Sequence, residues 1–378
     1  MIYPQKDRPT PTRRLLGAQV LVFRSRDYHE LRQAMLDLKK AGVNTVMVRA
    51  FQNPGDRIYP FADPRYQIGA YFKTTHAPVV DPVLGRIVSI AHGIGLRVFA
   101  WLETRKMPLH LPAPKKSKAL SYSFETATYK HNAMWSIFDE TVHGALVGLF
   151  YDAARSGVDG ILIQDDLIMY RHEDFNPKAV SLFEAKMHRQ LDPKELFQDV
   201  FTDQQGRWCV GHYSNTFWAW ARWKNQKLLQ FAMDLIRSAK AANPEIEIAM
   251  NFMYESLTAP KNALAWMSQS LAEAVKLPID YYAIMAYHRQ MRHELELSQN
   301  AAYNKISTMT AQALALVNNP HRILMKVQMT DWKTRKAIPP DEAGKVFQLI
   351  SDQGEVSLAF IPYCPSSPLN VIGGYYRQ

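Results

Sequence analysis

Apolar runs of strand length alternate with helical periodicities along almost the whole chain. Residues 16–23 (LGAQVLVF) read as a strand, and 28–40 follow with Leu31, Met35, Leu36 and Leu38 at helical spacing until Gly42 stops them; glycine just past the last periodic residue is a common helix end. The alternation continues with a strand at 44–51 (NTVMVRAF), a helix at 83–92 halted by Gly93 and Gly95, and a strand at 97–103 (RVFAWLE). A helix at 145–156 then ends at Gly157, and a fourth strand, 160–164 (GILIQ), carries Asp165 and Asp166 at its C-terminal end.

A long excursion interrupts the rhythm between 167 and about 211, with a helix near 178–190 and a turn at 203–206 (DQQG), before one long helix at 215–242. The pattern resumes with strands at 246–252, 281–287, 323–328 and 356–362, separated by helices at 263–275, 306–317 and 340–352. Continuously apolar strands followed by helices predict a parallel sheet covered on both faces. Eight of them predict an α/β chain closed into a (β/α)8 TIM-type barrel, with the long excursion after strand 4 lying on its C-terminal face. Residues 1–378 are expected to form a single barrel domain, with 1–14 as a flexible N-terminus. No GxGxxG follows the first strand, which removes support for a dinucleotide site.

Composition changes little in this picture. The chain has 378 residues, 47% of them hydrophobic and 21% charged, ordinary for a globular protein with a large core. The net charge of +10 raises the idea of an anionic polymer as ligand, but no run of five basic residues occurs and no nucleic-acid partner is expected. The densest basic cluster, Lys115, Lys116 and Lys118, lies beside Pro112 and Pro114 and reads as a solvated loop. No segment approaches the roughly 18 apolar residues of a membrane span, and no apolar signal-peptide stretch is visible at the start. Two cysteines, Cys209 and Cys364, are too few for a disulfide framework. HxH, HExxH and CxxC are all missing, so neither a metal site nor a cofactor is expected.

In a barrel of this kind, chemistry sits at the C-terminal ends of the strands. Those ends supply Arg49 and Gln52, Trp101 and Glu103, Asp165 and Asp166, Asn251, Tyr254 and Glu255, Tyr287 and His288, Gln328, Asp331 and Trp332, and Tyr363. Acids and aromatics recur, which is the inventory of a carbohydrate site: carboxylates for acid–base cleavage, and aromatic faces for sugar rings. The expectation is that Trp101, Tyr287, Trp332 and Tyr363 line one groove around the aspartates. Adjacent carboxylates at the end of a buried strand repel and lose hydration, so one should have a raised pKa. Asp165 shares the face of Ile161 and Ile163 and is the expected acid; if that face looks toward the helices, Asp166 takes its place. The competing reading is structural, one carboxylate capping the turn and the other pairing with an arginine. Glu103, near Arg105 and Lys106, fits a salt bridge as well as catalysis. Trp220 and Trp223 share a helical face and read as packing residues.

The segments DGILIQDD (159–166), DYYAIMAY (280–287), VQMTDWKTRKAIP (327–339) and AFIPY (359–363) resemble the C-terminal hydrolase domain of the bacterial poly-β-1,6-N-acetyl-D-glucosamine deacetylases. So do GVNTVMVRAF (42–51) and the stretch 70–102, and the resemblance runs in order over nearly the whole chain. It implies a barrel that cleaves partially deacetylated poly-β-1,6-N-acetyl-glucosamine, a biofilm exopolysaccharide, in the periplasm, cell envelope or outside the cell. It also implies an essential aspartate at Asp165 or Asp166, a binding aromatic at Trp332 and a tyrosine at Tyr363. Two departures stand out: Gln164 replaces a histidine before the aspartate pair, and the glutamate expected after the sixth strand matches Glu294 or Glu296 only after a gap. The family's metal-dependent deacetylase domain has no counterpart in this sequence, so no deacetylation is expected. The expected function is thus an endo-acting glycoside hydrolase with a polysaccharide substrate, its rim acids making the cleft locally acidic. The rival is a carbohydrate-binding barrel without catalysis that guides polymer during export. Oligomeric state is not readable.

Overall fold

A computed structural model describes residues 13–111, 113–206 and 208–377; residues 1–12, most of the expected flexible N-terminus, lie outside it. Eight parallel strands close into a barrel. They are β1 (Leu16–Val20), β2 (Thr45–Arg49), β3 (Arg97–Leu102), β4 (Gly160–Ile163), β5 (Glu247–Phe252), β6 (Tyr281–Ala286), β7 (Ile323–Gln328) and β8 (Ser357–Ile361). Each pairs with its sequence neighbours, and β1 closes on β8 through Leu16↔Leu358 to Ala18↔Phe360. The wrapping helices are α1 (Tyr28–Lys40), α2 (Leu84–His92), α3 (Glu140–Ala154), α4 (Asn215–Ala242), α5 (Pro260–Met267), α6 (Gln299–Leu316), α7 (Pro340–Ser351) and α8 (Leu369–Tyr376), with shorter helices in the connections.

Local chemistry sets these boundaries. Asp27 caps α1 by accepting the Glu30 N–H at 2.8 Å, Ser214 caps α4 from the Phe217 N–H at 3.1 Å, and Asp139 caps α3 through Thr141 and Val142. Gly42 follows α1 at φ +88°, a conformation that costs other residues more. The expected helix over 263–275 is instead two pieces, α5 and the short helix Leu271–Ala274, because Ser268 turns left-handed at φ 50° between them.

Strand alternation sorts the core into two apolar layers. Ile161, Ile163, Val46 and Val48 face the helices, while Leu15, Met47, Phe99, Leu162, Tyr281 and Leu324 fill the barrel itself. Gly160 makes room for this plug: a Cβ there would lie 2.5 Å from the Phe99 ring. The barrel floor is therefore closed, and only its mouth is available to a ligand.

The mouth is built up by loops. An antiparallel hairpin, Lys118–Ser123 with Thr128–Trp135, rises between β3 and α3. The excursion after β4 holds the helix Pro177–Met187 and a second hairpin, Phe197–Thr202 with Trp208–Tyr213. Phe175, Phe183, Phe197, Phe217, Trp220 and Trp223 form a separate core that joins these pieces to the start of α4. Trp220 and Trp223 stack at 4.9 Å within it, the packing role their spacing suggests. Arg105, completely buried, binds Glu173 at 3.0 Å, and Lys224 donates to the carbonyls of Tyr170 and Glu173. Breaking a buried pair of this kind is far costlier than its net contribution, so the excursion is fixed to the β3 loop. Cys209 and Cys364 are not joined to each other. Among the described residues, no helix is long and apolar enough to cross a membrane.

Candidate active site

A cleft of about 270 Å³ opens at the C-terminal mouth of the barrel. Its deepest side chains come from the odd-numbered strands: Gln19 on β1, Trp101 on β3, Asn251 on β5 and Lys326 on β7. Alternate strands contributing one layer is the usual filling of such barrels, but here the uppermost layer is polar. Lys326 is 2% exposed and donates from Nζ to Oδ1 of Asn251 at 2.7 Å. Small residues flank the pair on the neighbouring strands, Ala359 in register with Lys326 and Ala283 with Asn251. Burial lowers the Lys326 pKa to about 7, although the negative charge of nearby Asp165 favours its protonated form.

Asp165 and Gln164 line the same cleft just beyond β4, and the Trp101 indole N–H donates to Oε1 of Gln164. Met253, Met285 and Ile361 supply apolar wall, and Tyr287, Gln290 and Trp332 close the far side. Tyr287 and Trp332 meet edge to face, centroids 5.8 Å apart at 69°. Burial, then the charge of Asp165, pushes the Tyr287 phenol well above its ordinary pKa, so it stays a neutral hydroxyl. Three of the four aromatics expected in one groove are thus together. Tyr363 is not: it packs against Phe360 on the helix side of the barrel, away from the cleft.

The two aspartates part company. The face shared by Ile161 and Ile163 looks toward the helices, and alternation alone would send Asp165 there too. The strand ends at Ile163, however, and the turn that follows brings Asp165 into the cleft. Asp166 is the buried member. It accepts from the Thr104 N–H at 3.1 and 2.8 Å, from the Thr104 hydroxyl at 2.9 Å and from the Lys106 N–H at 2.7 Å. Burial raises its pKa to about 6 against those hydrogen bonds. Asp166 is thus the aspartate whose pKa burial raises, and Asp165 the one that lines the cleft.

The other acids divide likewise. Glu103 accepts from Asn53 at 2.8 Å and has its pKa raised by burial, but it does not pair with Arg105, which turns to Glu173. Glu255 and Glu294 face each other across Tyr254, whose hydroxyl donates to Oε2 of Glu294 at 2.7 Å. Gln290, a cleft residue, donates to Oε1 of Glu294 at 2.9 Å. Burial, then the charge of Glu294, raises the Glu255 pKa. His288 lies elsewhere than the sequence suggests: it is buried against Glu342 at 2.7 Å, where Arg289 also binds. Asp331 caps the turn that carries Trp332, accepting from Lys333 and Thr334 N–H groups at 2.9 and 3.1 Å, and binds Arg289 at 3.3 Å. It supports the cleft rather than lining it.

Sequence reasoning missed Gln19 and Lys326. Each is a lone polar residue in an apolar strand, LGAQV and ILMKVQ, and a polar group buried on a strand is itself a signal, since burial is costly without partners.

The family model described as hypothetical glycosyl hydrolase family 13 matches residues 25–361. The poly-beta-1,6-N-acetyl-D-glucosamine N-deacetylase of Escherichia coli (strain K12) is 23% identical over 336 residues, which are 86% of this chain and 45% of that protein. The chain thus spans less than half the length of that curated relative. The PgaB (BpsB) glycoside hydrolase domain from Bordetella bronchiseptica superposes with a TM-score of 0.72 at 19% identity, over 92% of this chain and 93% of that one. The catalytic domain of beta-amylase from Paenibacillus polymyxa does so with a TM-score of 0.59 at 11% identity, over 96% and 97%. At these identities the structural likeness is one of fold.

Proposed function

The chain belongs to hypothetical glycosyl hydrolase family 13, and from that premise we propose that its barrel mouth cleaves a poly-β-1,6-N-acetyl-D-glucosamine type of exopolysaccharide, internally and in partially deacetylated stretches. The observation that carries this reading is Asp165 set in a cleft walled by Trp101, Tyr287 and Trp332. A carboxylate between aromatic faces has the parts needed to hold a sugar ring and act at its anomeric carbon. The E. coli relative is named for the same polymer, which supports the choice of sugar.

In this reading Asp165 supports the positive charge that develops at the anomeric carbon, and Glu294, presented by Gln290 and Tyr254, protonates the departing oxygen. Water completes the hydrolysis. Asp166 fixes the β3 loop beneath them. Trp101, Tyr287 and Trp332 bind the sugar, with Glu103 and Glu255 adding negative charge for free amines. His288, Asp331 and Tyr363 act through packing. The polymer places this work in the cell envelope or outside the cell, and the whole chain acts as one barrel unit.

The test is Asp165→Asn on partially deacetylated poly-β-1,6-N-acetyl-glucosamine, followed by product size. Acid–base and related carboxylate roles are worth about 10²–10⁴-fold, so kcat should fall by at least about a hundredfold while thermal unfolding is unchanged. Early products of the parent should span many lengths if cleavage is internal. A parent that binds the polymer without shortening it would establish the non-catalytic carbohydrate-binding reading instead.

A further inference from the structure

Lys326 is the amine of the cleft, and the proposed cleavage makes no use of it. It stands on the cleft floor, 2% exposed, with Met285 and Ala359 in register on the two adjoining strands. Its hydrogen bond goes to a neutral amide, Oδ1 of Asn251 at 2.7 Å, rather than to a carboxylate. Burial therefore outweighs the attraction of Asp165, and the pKa falls to about 7. Gln19 lines the same cleft, fully buried, with neither Nε2 nor Oε1 partnered in the protein. Buried amides are nearly always satisfied, so this floor is suited to a polar guest.

Lys224 supplies the contrast. It is as deeply buried, and burial lowers its pKa to about 7 as well, but its Nζ is held by the carbonyls of Tyr170 and Glu173 inside the excursion. Lys326 has an amine of the same strength with a cavity of about 270 Å³ above it.

We propose that Lys326 captures carbonyl compounds: its amine condenses at the cleft floor with the open-chain aldehyde of a reducing sugar to form a Schiff base, and Asp165 moves the protons. A desolvated lysine amine is the usual nucleophile of such condensations. The Nζ lone pair attacks the aldehyde carbon and the C–N bond forms, while Gln19 Nε2 offers the carbonyl oxygen a donor. The nitrogen gives up a proton, which the Asp165 carboxylate passes to that oxygen. A second proton by the same route releases the oxygen as water, and the C=N bond forms. One amine and one aldehyde give one imine and one water, and nothing is oxidised or reduced. No glycosidic bond takes part, so the step stands apart from the hydrolase reading. The aldehyde has two sources, the chain end of an oligosaccharide or a small free aldose, and the test separates them.

The full chain is incubated with sodium cyanoborohydride and either the β-1,6-linked disaccharide of N-acetylglucosamine or glyceraldehyde. Reduction fixes the imine as a secondary amine, and peptide mass spectrometry locates it. At pH 7 a lysine with a pKa of about 7 holds roughly a thousandfold more neutral amine than an ordinary one. Restricted access takes back part of this, so Lys326 should carry at least about ten times the label of any other lysine, Lys224 included. From pH 6 to pH 8 its labelling should rise about tenfold, where an ordinary lysine rises about a hundredfold. The other titrating groups that line the cleft are Asp165 and Tyr287, and burial keeps the Tyr287 phenol neutral over that range. At pH 8, where the Lys326 amine is already mostly neutral, Asp165→Asn should slow labelling by about a hundredfold. Label from the disaccharide assigns the site to oligosaccharide ends, and label from glyceraldehyde alone assigns it to small aldoses. A Lys326 that neither reagent labels, or that labels no faster than Lys224 and the surface lysines, would overturn the inference whether or not the polymer is cut. A folded Asp165→Asn variant that labels at the parent rate would overturn the proton route.

Discussion

Both carboxylate oxygens of Asp166 accept from the backbone N–H of Thr104, at 3.1 and 2.8 Å, so the residue beside the cleft aspartate is a fastener for the β3 loop. That loop carries Glu103, and its Arg105 reaches the excursion. The adjacent pair thus divides: Asp166 holds the frame, and Asp165 faces the cleft.

Asp166 should reveal itself in the pH dependence of stability. Its folded pKa of about 6 exceeds the ordinary value of 3.8. Between those values the folded state binds more protons than the unfolded, so stability falls as pH rises through roughly 4 to 6, by up to about 3 kcal/mol. Asp166→Asn removes that titration. Urea unfolding of parent and variant at pH 4, 5, 6 and 7 should show the parent's advantage shrinking as pH rises. An advantage that grows instead would mean the four hydrogen bonds outweigh burial.

Trp332 is placed by its neighbour. Asp331 caps the turn, and its other oxygen meets Arg289 and His293 at 3.3 and 3.4 Å. Loss of an aromatic contact of this size is worth about 1–1.5 kcal/mol, or roughly tenfold in affinity. Trp332→Ala should raise KM by about that factor with little change in kcat, and Trp332→Phe should recover most of it. Asp331→Ala should raise KM similarly although it touches no ligand. Unaltered KM in Trp332→Ala would remove the stacking role.

The barrel was legible because its strands are continuous apolar runs between helices, as in YYAIMA and ILMKVQ. The same property hid the inward direction. With both faces apolar, nothing in the sequence says that Leu162 points into the barrel and Ile163 out. Tyr363 was misplaced for this reason, and Asp165 because alternation stops where the strand stops. The hairpin at Lys118–Ser123 went unread because its lysines look solvated; Lys118 in fact lies over the Trp135 ring, 3.1 Å from its centroid. His288 looked like a rim residue because its partner, Glu342, is 54 positions away. A strand-end list finds which residues are near the mouth, but only the helix packed behind them decides which turn away.

The second carboxylate is the sharpest remaining test. Glu294 is exposed at the end of the helix His288–Glu294, yet it is held from two sides, by the Tyr254 hydroxyl at 2.7 Å and by the Gln290 amide at 2.9 Å. Two donors fix its direction, and Gln290 ties it to the cleft wall. Glu255 sits on the other side of Tyr254 with one buried oxygen unpartnered, and its raised pKa keeps a proton on it more readily than on an ordinary glutamate. If Glu294 delivers the proton, Glu294→Gln should lower kcat by about 10²–10⁴-fold, with a smaller effect on a substrate whose leaving group needs no protonation, such as an activated aryl glycoside. Tyr254→Phe removes one orienting hydrogen bond, worth about 1.5–3 kcal/mol when the acceptor is charged, and should lower kcat by about tenfold or more while sparing KM. Glu255→Gln should cost less than Glu294→Gln on both substrates. Should Glu255→Gln abolish cleavage and Glu294→Gln leave it intact, the proton comes from the buried partner, and Glu294 serves only to hold Tyr254 in place.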